Sequence, residues 1–342
     1  MDWSTVLSDI IAGKSLGRSG AHEALASIVS GEATPAQSAA FLVAYKFRLP
    51  QPEELAGMVD AMLEAAERVD LGNPLLDTCG TGGDRSGSIN VSTLAAFVAA
   101  AAGAKVAKHG NRAASSRCGS ADLLEAMGAT IDLGPEEVGR CLEESGMCFL
   151  FARRFHPAMR NVAPVRQELG IPTVMNLLGP LCNPAGASFH AMGVADLSVA
   201  QLVVETAPLI GRERAVIFHG YGALDELSIS GPSTIWELKG GEVASYVLNP
   251  EELGIEPVPV EAVAGGDPVR NKEIALEVLE GKRSPYFDFT ALNAAAALLA
   301  ADLVESIEEG FALATSILTE GKALRTAESF IEASRRAATS SQ

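Results

Sequence analysis

At about residue 70 the chain changes its period, and that change limits the fold more than any other feature. Up to there apolar residues recur at three- and four-residue spacing without β-branched runs, the pattern of helices that bury one face. Thr34-Pro35-Ala36-Gln37 reads as a helix start, with a Thr cap, Pro in the first turn and Gln three residues after the cap. From Leu75 onward short strand-like runs alternate with helical stretches: Leu75 to Cys79, Ala104 to Ala107, Cys148 to Ala152, Ser188 to Val194 and Arg214 to His219. Such alternation predicts an α/β fold with a mostly parallel central sheet covered by helices. The expected organisation is a small N-terminal all-helical domain, 1–70, joined by helices from about 160–190, and a large α/β domain, 71–342. A chain of 342 residues exceeds what one growing core accommodates, so two lobes and a cleft are expected, with hinges near Leu71 to Pro74 and 160–190.

Ser233 to Val247 differs, because two apolar runs flank Gly240-Gly241 as in a β-hairpin. Leu94 to Ala104 is the longest apolar run, too short for a bilayer, and reads as a buried helix. Helix returns from about Asn271, including Ala291 to Val304, and the polar tail after Ala333 is expected to fray. Lys plus Arg number 26 against 43 Asp plus Glu, a net charge of −17 that repels nucleic acid and anionic membrane alike, so neither is an expected partner. Any phosphate site must therefore be local. The 5 cysteines are odd in number and form no CxxC pair, which points away from disulfides and zinc and toward the cytoplasm. MDWSTVLSDI has no basic segment leading into an apolar run, so no signal peptide is expected.

Leu75-Leu76-Asp77-Thr78-Cys79 runs into Gly80-Thr81-Gly82-Gly83-Asp84, and Asn90-Val91-Ser92-Thr93 opens the next helix. Glycines let a backbone close on its ligand and turn N–H groups inward, and a helix N-terminus adds partial positive charge, so a phosphate is the natural guest. The loop is neither a Walker A sequence nor GxGxxG, which argues against an NTPase or a dinucleotide binder. A lone Gly-Gly would be only a tight turn. Lys108 to Asp122 then gathers three cations, a His, an amide and three hydroxyls after a strand, in a chain otherwise acidic. Polyphosphate recognition needs this mixture, while a solvated loop with Ser120 capping the following helix is the plainer reading, and the two can coexist.

GTGGD, NVST and KHGNRAASSRCGSADLLEAMG together resemble the anthranilate phosphoribosyltransferase family of tryptophan biosynthesis over most of the chain. The long motif is specific; GTGGD alone also occurs in pyrimidine nucleoside phosphorylases. The resemblance implies that Gly80, Gly83, Asp84, Ser88, Asn90, Val91, Ser92, Thr93, Lys108, Asn111, Ser116 and Ser120 hold 5-phosphoribosyl-1-pyrophosphate. It implies anthranilate contacts at Gly80, Asn111, His156 and Arg166, and Mg²⁺ at Ser92, Asp225 and Glu226. It also implies a homodimer through the small helical domain.

Read from the residues, Arg166 can meet a carboxylate with two parallel donors, as an aromatic acid requires, although a surface ion pair is arginine's common fate. Adjacent Asp225-Glu226 after the strand ending at His219 suits Mg²⁺, although acidic pairs are common in so negative a chain. The chain departs from the family pattern at Arg153, Pro172 and Met175, none of them a phosphate or metal position. Replacing pyrophosphate at the anomeric carbon builds positive charge on the ribose, so neutralising the leaving group and aligning two reactants are the main tasks. His109 is the candidate base and Arg166 the carboxylate anchor. Rival readings are a nucleoside phosphorylase of the same fold and a nucleic-acid-binding relative, against which stand Arg166, the His156 segment and the charge.

Overall fold

The first four helices, α1 (Trp3–Ile11), α2 (Gly17–Ser30), α3 (Pro35–Phe47) and α4 (Pro52–Glu64), form the small lobe. They belong to a computed structural model that describes residues 1–84, 86–113 and 117–339. α3 starts at the predicted box: the Thr34 hydroxyl accepts from Gln37 N–H, and the Gln37 side chain accepts from Thr34 N–H at 2.9 Å. At the centre of the lobe Glu54 is 0% exposed yet fully satisfied. Its oxygens accept from Leu16 N–H, Tyr45 OH, both Arg48 Nη groups and Gln51 N–H, at 2.7 to 2.9 Å. Burial alone would raise its pKa, but Arg48 and the backbone donors outweigh that and hold it below the usual range.

The large lobe is built on β1 (Leu76–Gly80), β2 (Val106–Gly110), β3 (Met147–Phe151), β4 (Phe189–Gly193), β5 (Arg214–His219), β6 (Ser233–Lys239) and β7 (Glu242–Leu248). Their order is β3-β2-β1-β4-β5-β6-β7, the first five parallel and the last two an antiparallel hairpin turning at Gly240-Gly241. Four helices, α5 (Val91–Ala101), α6 (Ser120–Met127), α7 (Pro135–Ser145) and the short α8 (Ala152–Phe155), connect or follow β1 to β3. α9 (Ala163–Leu169) and α10 (Met175–Leu181) precede β4, and α11 (Leu197–Thr206) follows it. The chain closes with α12 (Pro268–Leu279), α13 (Pro285–Ala300), α14 (Ile307–Thr319) and α15 (Lys322–Thr339).

Two cores result. One packs α5, α13 and α15 against one sheet face, and α13 is buried on all sides from Phe289 to Ala300, which an Ala- and Leu-rich helix with a single early charge permits. The other joins α1 to α4 with Val162, Val165, Met175, Leu178 and Leu181 of the 160–190 segment, with α11, and with Met192 and Ile217 on the opposite sheet face.

Two sequence expectations are corrected. The tail does not fray after Ala333: helix continues to Thr339 because Ala337 is buried and Arg336 pairs with Glu144 at 2.5 Å. Ser120 does not cap α6, which begins with it; Gly119 is the cap, its N–H donating to Asp122 at 2.9 Å.

Candidate functional site

Strand order reverses between β1 and β4, whose neighbours then diverge, and the crevice beyond the carboxyl ends of such strands is where open α/β sheets bind ligands. Here both strand ends are glycine, Gly80 paired with Gly193. A Cβ at either position would collide with Asp225, with Oδ2 at Gly80 and with the backbone carbonyl at Gly193. The glycines thus make a notch for a carboxylate far downstream in sequence, and Gly82 N–H donates to Asp225 Oδ2 there at 2.7 Å. Gly82 and Gly83 take φ of 66° and 85°, a conformation that other residues rarely adopt.

Burial and the neighbouring Asp84 push the Asp225 pKa up to about 7. Glu226 is raised as well, by burial and then by Asp225, with Lys108 opposing. Asp84 accepts from Ser86 N–H at 3.2 Å through one oxygen, and its other oxygen is buried without a partner among the described residues. Lys108 is 1% exposed; it donates to the Thr78 carbonyl, and Nζ lies 3.4 Å from the Thr78 and Ser92 hydroxyls. Burial lowers its pKa while Asp77, Cys79 and Glu226 oppose that. Asp84, Asp225 and Glu226 are thus electrostatic neighbours, with Lys108 between Glu226 and the Ser92 hydroxyl; among the described residues their oxygens do not gather within 4.8 Å of one another, but oxygen ligands are of the kind a hard divalent cation takes.

A second group with ligand chemistry lies deeper: Asp77, Cys79 and His190 offer three atoms within 4.8 Å of one another. Both Asp77 oxygens already accept N–H bonds, from His109 at 3.0 Å and Asn183 at 2.8 Å, and Cys79 Sγ contacts His190 Nε2 at 3.0 Å. We read this group as core hydrogen bonding.

The remaining phosphate candidates line the loop and the α5 entrance. Ser88 pairs with Ala264 in an isolated bridge. Asn90 spans two segments, donating to the Cys118 carbonyl at 3.0 Å and accepting from Asn271 at 2.9 Å. Val91 is fully buried and its N–H donates to the Ile89 carbonyl at 2.7 Å, while Thr93 is also buried, its hydroxyl unpartnered among the described residues. Asn111 and Ser120 meet where the Ser120 hydroxyl donates to the Asn111 carbonyl at 3.3 Å. Ser116 lies outside the described residues. Of the basic segment's cations, Arg112 is engaged by Asp122 and Glu125 and sits over the Phe151 ring.

A different chemistry begins at His109, the residue after Lys108 on β2. His109 and His156 lie against each other with ring centroids 5.1 Å apart and ring planes tilted by 52°. Each is oriented by a carbonyl, His109 Nδ1 by Gly179 at 3.1 Å and His156 Nε2 by Cys182 at 2.9 Å, so the proton must sit on the nitrogen facing that acceptor. The other nitrogens, His109 Nε2 and His156 Nδ1, are buried acceptors without partners among the described residues. Burial lowers the two pKa values to about 4 and about 3, so both rings are neutral at pH 7. Arg166 is half-buried, its pKa lowered by burial, and its side chain makes a long contact, 3.4 Å, to Asn176 Oδ1.

Asn293 escaped the sequence reading. This buried amide on α13 accepts from Leu227 N–H at 2.8 Å and donates to the Leu227 carbonyl at 3.0 Å, gripping the residue after Glu226 from both sides. The only sequence signal was an Asn inside an Ala- and Leu-rich helix.

Residues 4–66 match the glycosyl transferase family helical bundle domain and residues 72–324 the glycosyl transferase family a/b domain. An anthranilate phosphoribosyltransferase of Roseiflexus castenholzii is 48% identical over 95% of this chain and 96% of its own length. Among solved structures, the anthranilate phosphoribosyltransferase of Thermus thermophilus superposes with a TM-score of 0.91 at 46% identity, covering 98% of this chain and 100% of the other. The Saccharomyces cerevisiae enzyme in complex with PRPP and Mg gives 0.90 at 30% identity over 98% of both chains. Among the described residues no helix is long and apolar enough to cross a membrane.

Proposed function

This chain belongs to the anthranilate phosphoribosyltransferase family, and from that membership we propose how its own residues divide the work of the reaction. It is a pentosyltransferase of tryptophan biosynthesis: it transfers the phosphoribosyl group of 5-phosphoribosyl-1-pyrophosphate to anthranilate, giving N-(5-phosphoribosyl)anthranilate and pyrophosphate. The observation that carries the assignment of roles is a contrast: carboxylates with raised pKa at the glycine loop, and neutral imidazole acceptors at His109 and His156, with a loosely held guanidinium at Arg166.

On the phosphate side, Gly80, Gly83, Asp84, Ser88, Asn90, Val91, Ser92, Thr93, Lys108, Asn111, Ser116 and Ser120 bind phosphoribosyl pyrophosphate. Ser92, Asp225 and Glu226 hold Mg²⁺, an assignment supported by the poverty of donors around Asp225 and by the unpartnered oxygen of Asp84. When bound, Mg²⁺ supplies positive charge against the departing pyrophosphate. Lys108, held beneath Ser92, adds charge of the same sign without leaving the core.

On the acceptor side, Arg166 clamps the anthranilate carboxylate, and Gly80 and Asn111 border the ring. The two unpartnered imidazole nitrogens, buried in the ligand-free protein, match the two hydrogens of an aromatic amine, His109 Nε2 accepting one and His156 Nδ1 the other. The amine's lone pair is thereby left for C1 of the ribose. Once bonded to carbon, such a nitrogen is acidic enough that a base as weak as His109 suffices to take its proton. Alignment of the two reactants remains the larger contribution.

The domain boundary falls at 70/71, and the small domain forms a homodimer; exposed Phe47, at 90%, and Ile11, at 78%, support that surface. The five free cysteines fit the cytoplasm. The test of the whole reading is the loss of anthranilate fluorescence on adding phosphoribosyl pyrophosphate, with and without Mg²⁺. Metal-dependent loss is expected; phosphorolysis of pyrimidine nucleosides without it would overturn the acceptor assignment.

A further inference from the structure

The residues Gly179 to Asn183, where α10 ends, are tethered by side chains from four other places in the fold. His109 of β2 donates to the Gly179 carbonyl at 3.1 Å, Arg212, just before β5, to the Leu181 carbonyl at 2.8 Å, and His156, after α8, to the Cys182 carbonyl at 2.9 Å. Asn183 completes the set, donating to Asp77 Oδ2 and to the Ala107 carbonyl, both at 2.8 Å, and accepting from Ala185 N–H at 2.9 Å. Asp77 and Asn183 are each 1% exposed. The other Asp77 oxygen accepts from the backbone N–H of His109 at 3.0 Å. One buried carboxylate on β1 therefore holds both the residue that carries an imidazole and, through Asn183, the segment whose carbonyl fixes that imidazole's tautomer.

We infer that Asp77 and Asn183 are positioning residues for the aromatic acid, setting the register between the Gly179–Asn183 segment and the β1/β2 strand ends so that His109 and His156 keep the tautomers that leave their unpartnered nitrogens as acceptors. The inference rests on the acceptor reading given above. A carboxylate only accepts and an amide can donate twice, so this pairing satisfies every group and few others would. None of the hydrogen bonds of Asn183 reaches the glycine loop or Asp225, so its loss should be felt by the acceptor and not by phosphoribosyl pyrophosphate.

The test uses full-length Asn183→Ala and Asn183→Asp, with each substrate varied in turn and thermal unfolding recorded beside the kinetics. Asn183→Ala should raise the anthranilate KM by ~10- to 100-fold and leave that for phosphoribosyl pyrophosphate within about twofold. Asn183→Asp keeps the shape but sets a second carboxylate against Asp77, and should lose more than Ala. An Asp variant milder than Ala would mean that only volume matters, and would overturn the inference. Both KM values rising together, neither rising, or a variant that fails to fold would assign the pair to stability and overturn it too. An inactive wild type removes the functional reading and this inference with it, whereas an active wild type with unaffected variants removes the inference alone.

Discussion

Glu54 in the small lobe and Asp225 in the large one are both buried carboxylates, 0% and 8% exposed, and they have opposite surroundings. Glu54 accepts from five donors, among them a two-pronged Arg48, and its pKa is lowered. Asp225 accepts from Gly82 N–H, faces Asp84 and Glu226, and its pKa is raised to about 7. Burial of a charge is costly in either place, but only in the first does the protein itself supply the compensation. A saturated carboxylate is architecture; a starved one is a place for something to bind.

That contrast can be broken in four ways. The largest effect belongs to Asp225→Ala with Glu226→Ala, which should cut Mg²⁺-dependent turnover by ~10³-fold or more while the unfolding midpoint of the metal-free protein stays or rises. A variant with full turnover would sink the metal assignment. Glu54→Ala strands Arg48 and should cost about 3–5 kcal/mol in denaturant unfolding, with kcat per folded molecule unchanged; an unaltered midpoint would show that the cluster is not structural. Asn293→Leu frees Leu227 and should raise the Mg²⁺ concentration for half-maximal rate by ~10-fold, read also by calorimetric Mg²⁺ titration without turnover. The smallest effect concerns pH. Protons compete with the cation for Asp225, so Mg²⁺ affinity should weaken as pH falls below about 7, and the same titration on Asp225→Asn should be flatter. The signs for stability are opposite as well. Glu54 contributes at neutral pH and loses its contribution as acid takes it below the usual carboxylate range, whereas ionising Asp225 destabilises the metal-free fold as pH rises toward 7.

Local signals carried far along this chain. The Thr34 box, the hairpin at Gly240-Gly241 and the parallel strands were legible because capping, turn chemistry and period are short-range properties. Strand edges moved by a residue or two; the second strand begins at Val106, where pairing with Met147 starts, not at Ala104. The fate of the tail was hidden because Glu144, which holds Arg336, lies in a helix far earlier in the chain. Lys108 read as a cation reaching for phosphate, and the Thr78 carbonyl that accepts from its Nζ beneath the loop was not legible, because that contact needs β1 and β2 side by side. Glu54 drew no notice, although Tyr45, Arg48 and Gln51 lie within nine residues of it; that its carboxylate is buried follows from helix packing, which also brings the Leu16 N–H. Gly193 was equally mute: its reason is Asp225, and that neighbour exists only once β1 and β4 lie side by side.

The grip of Asn293 on Leu227 also sets an order of events at the ribosome. The glycine loop, the strands that form the notch and the acidic pair itself are all synthesised first, yet the helix that braces the acidic pair leaves the exit tunnel much later. A growing chain therefore carries Asp84, Asp225 and Glu226 before it has the part that holds the segment after them in place. Premature termination short of Asn293 would yield a polypeptide with its sequence motifs intact and its acidic pair unbraced, which makes the helix that carries Asn293 as much a part of the catalyst as the loop that identifies it.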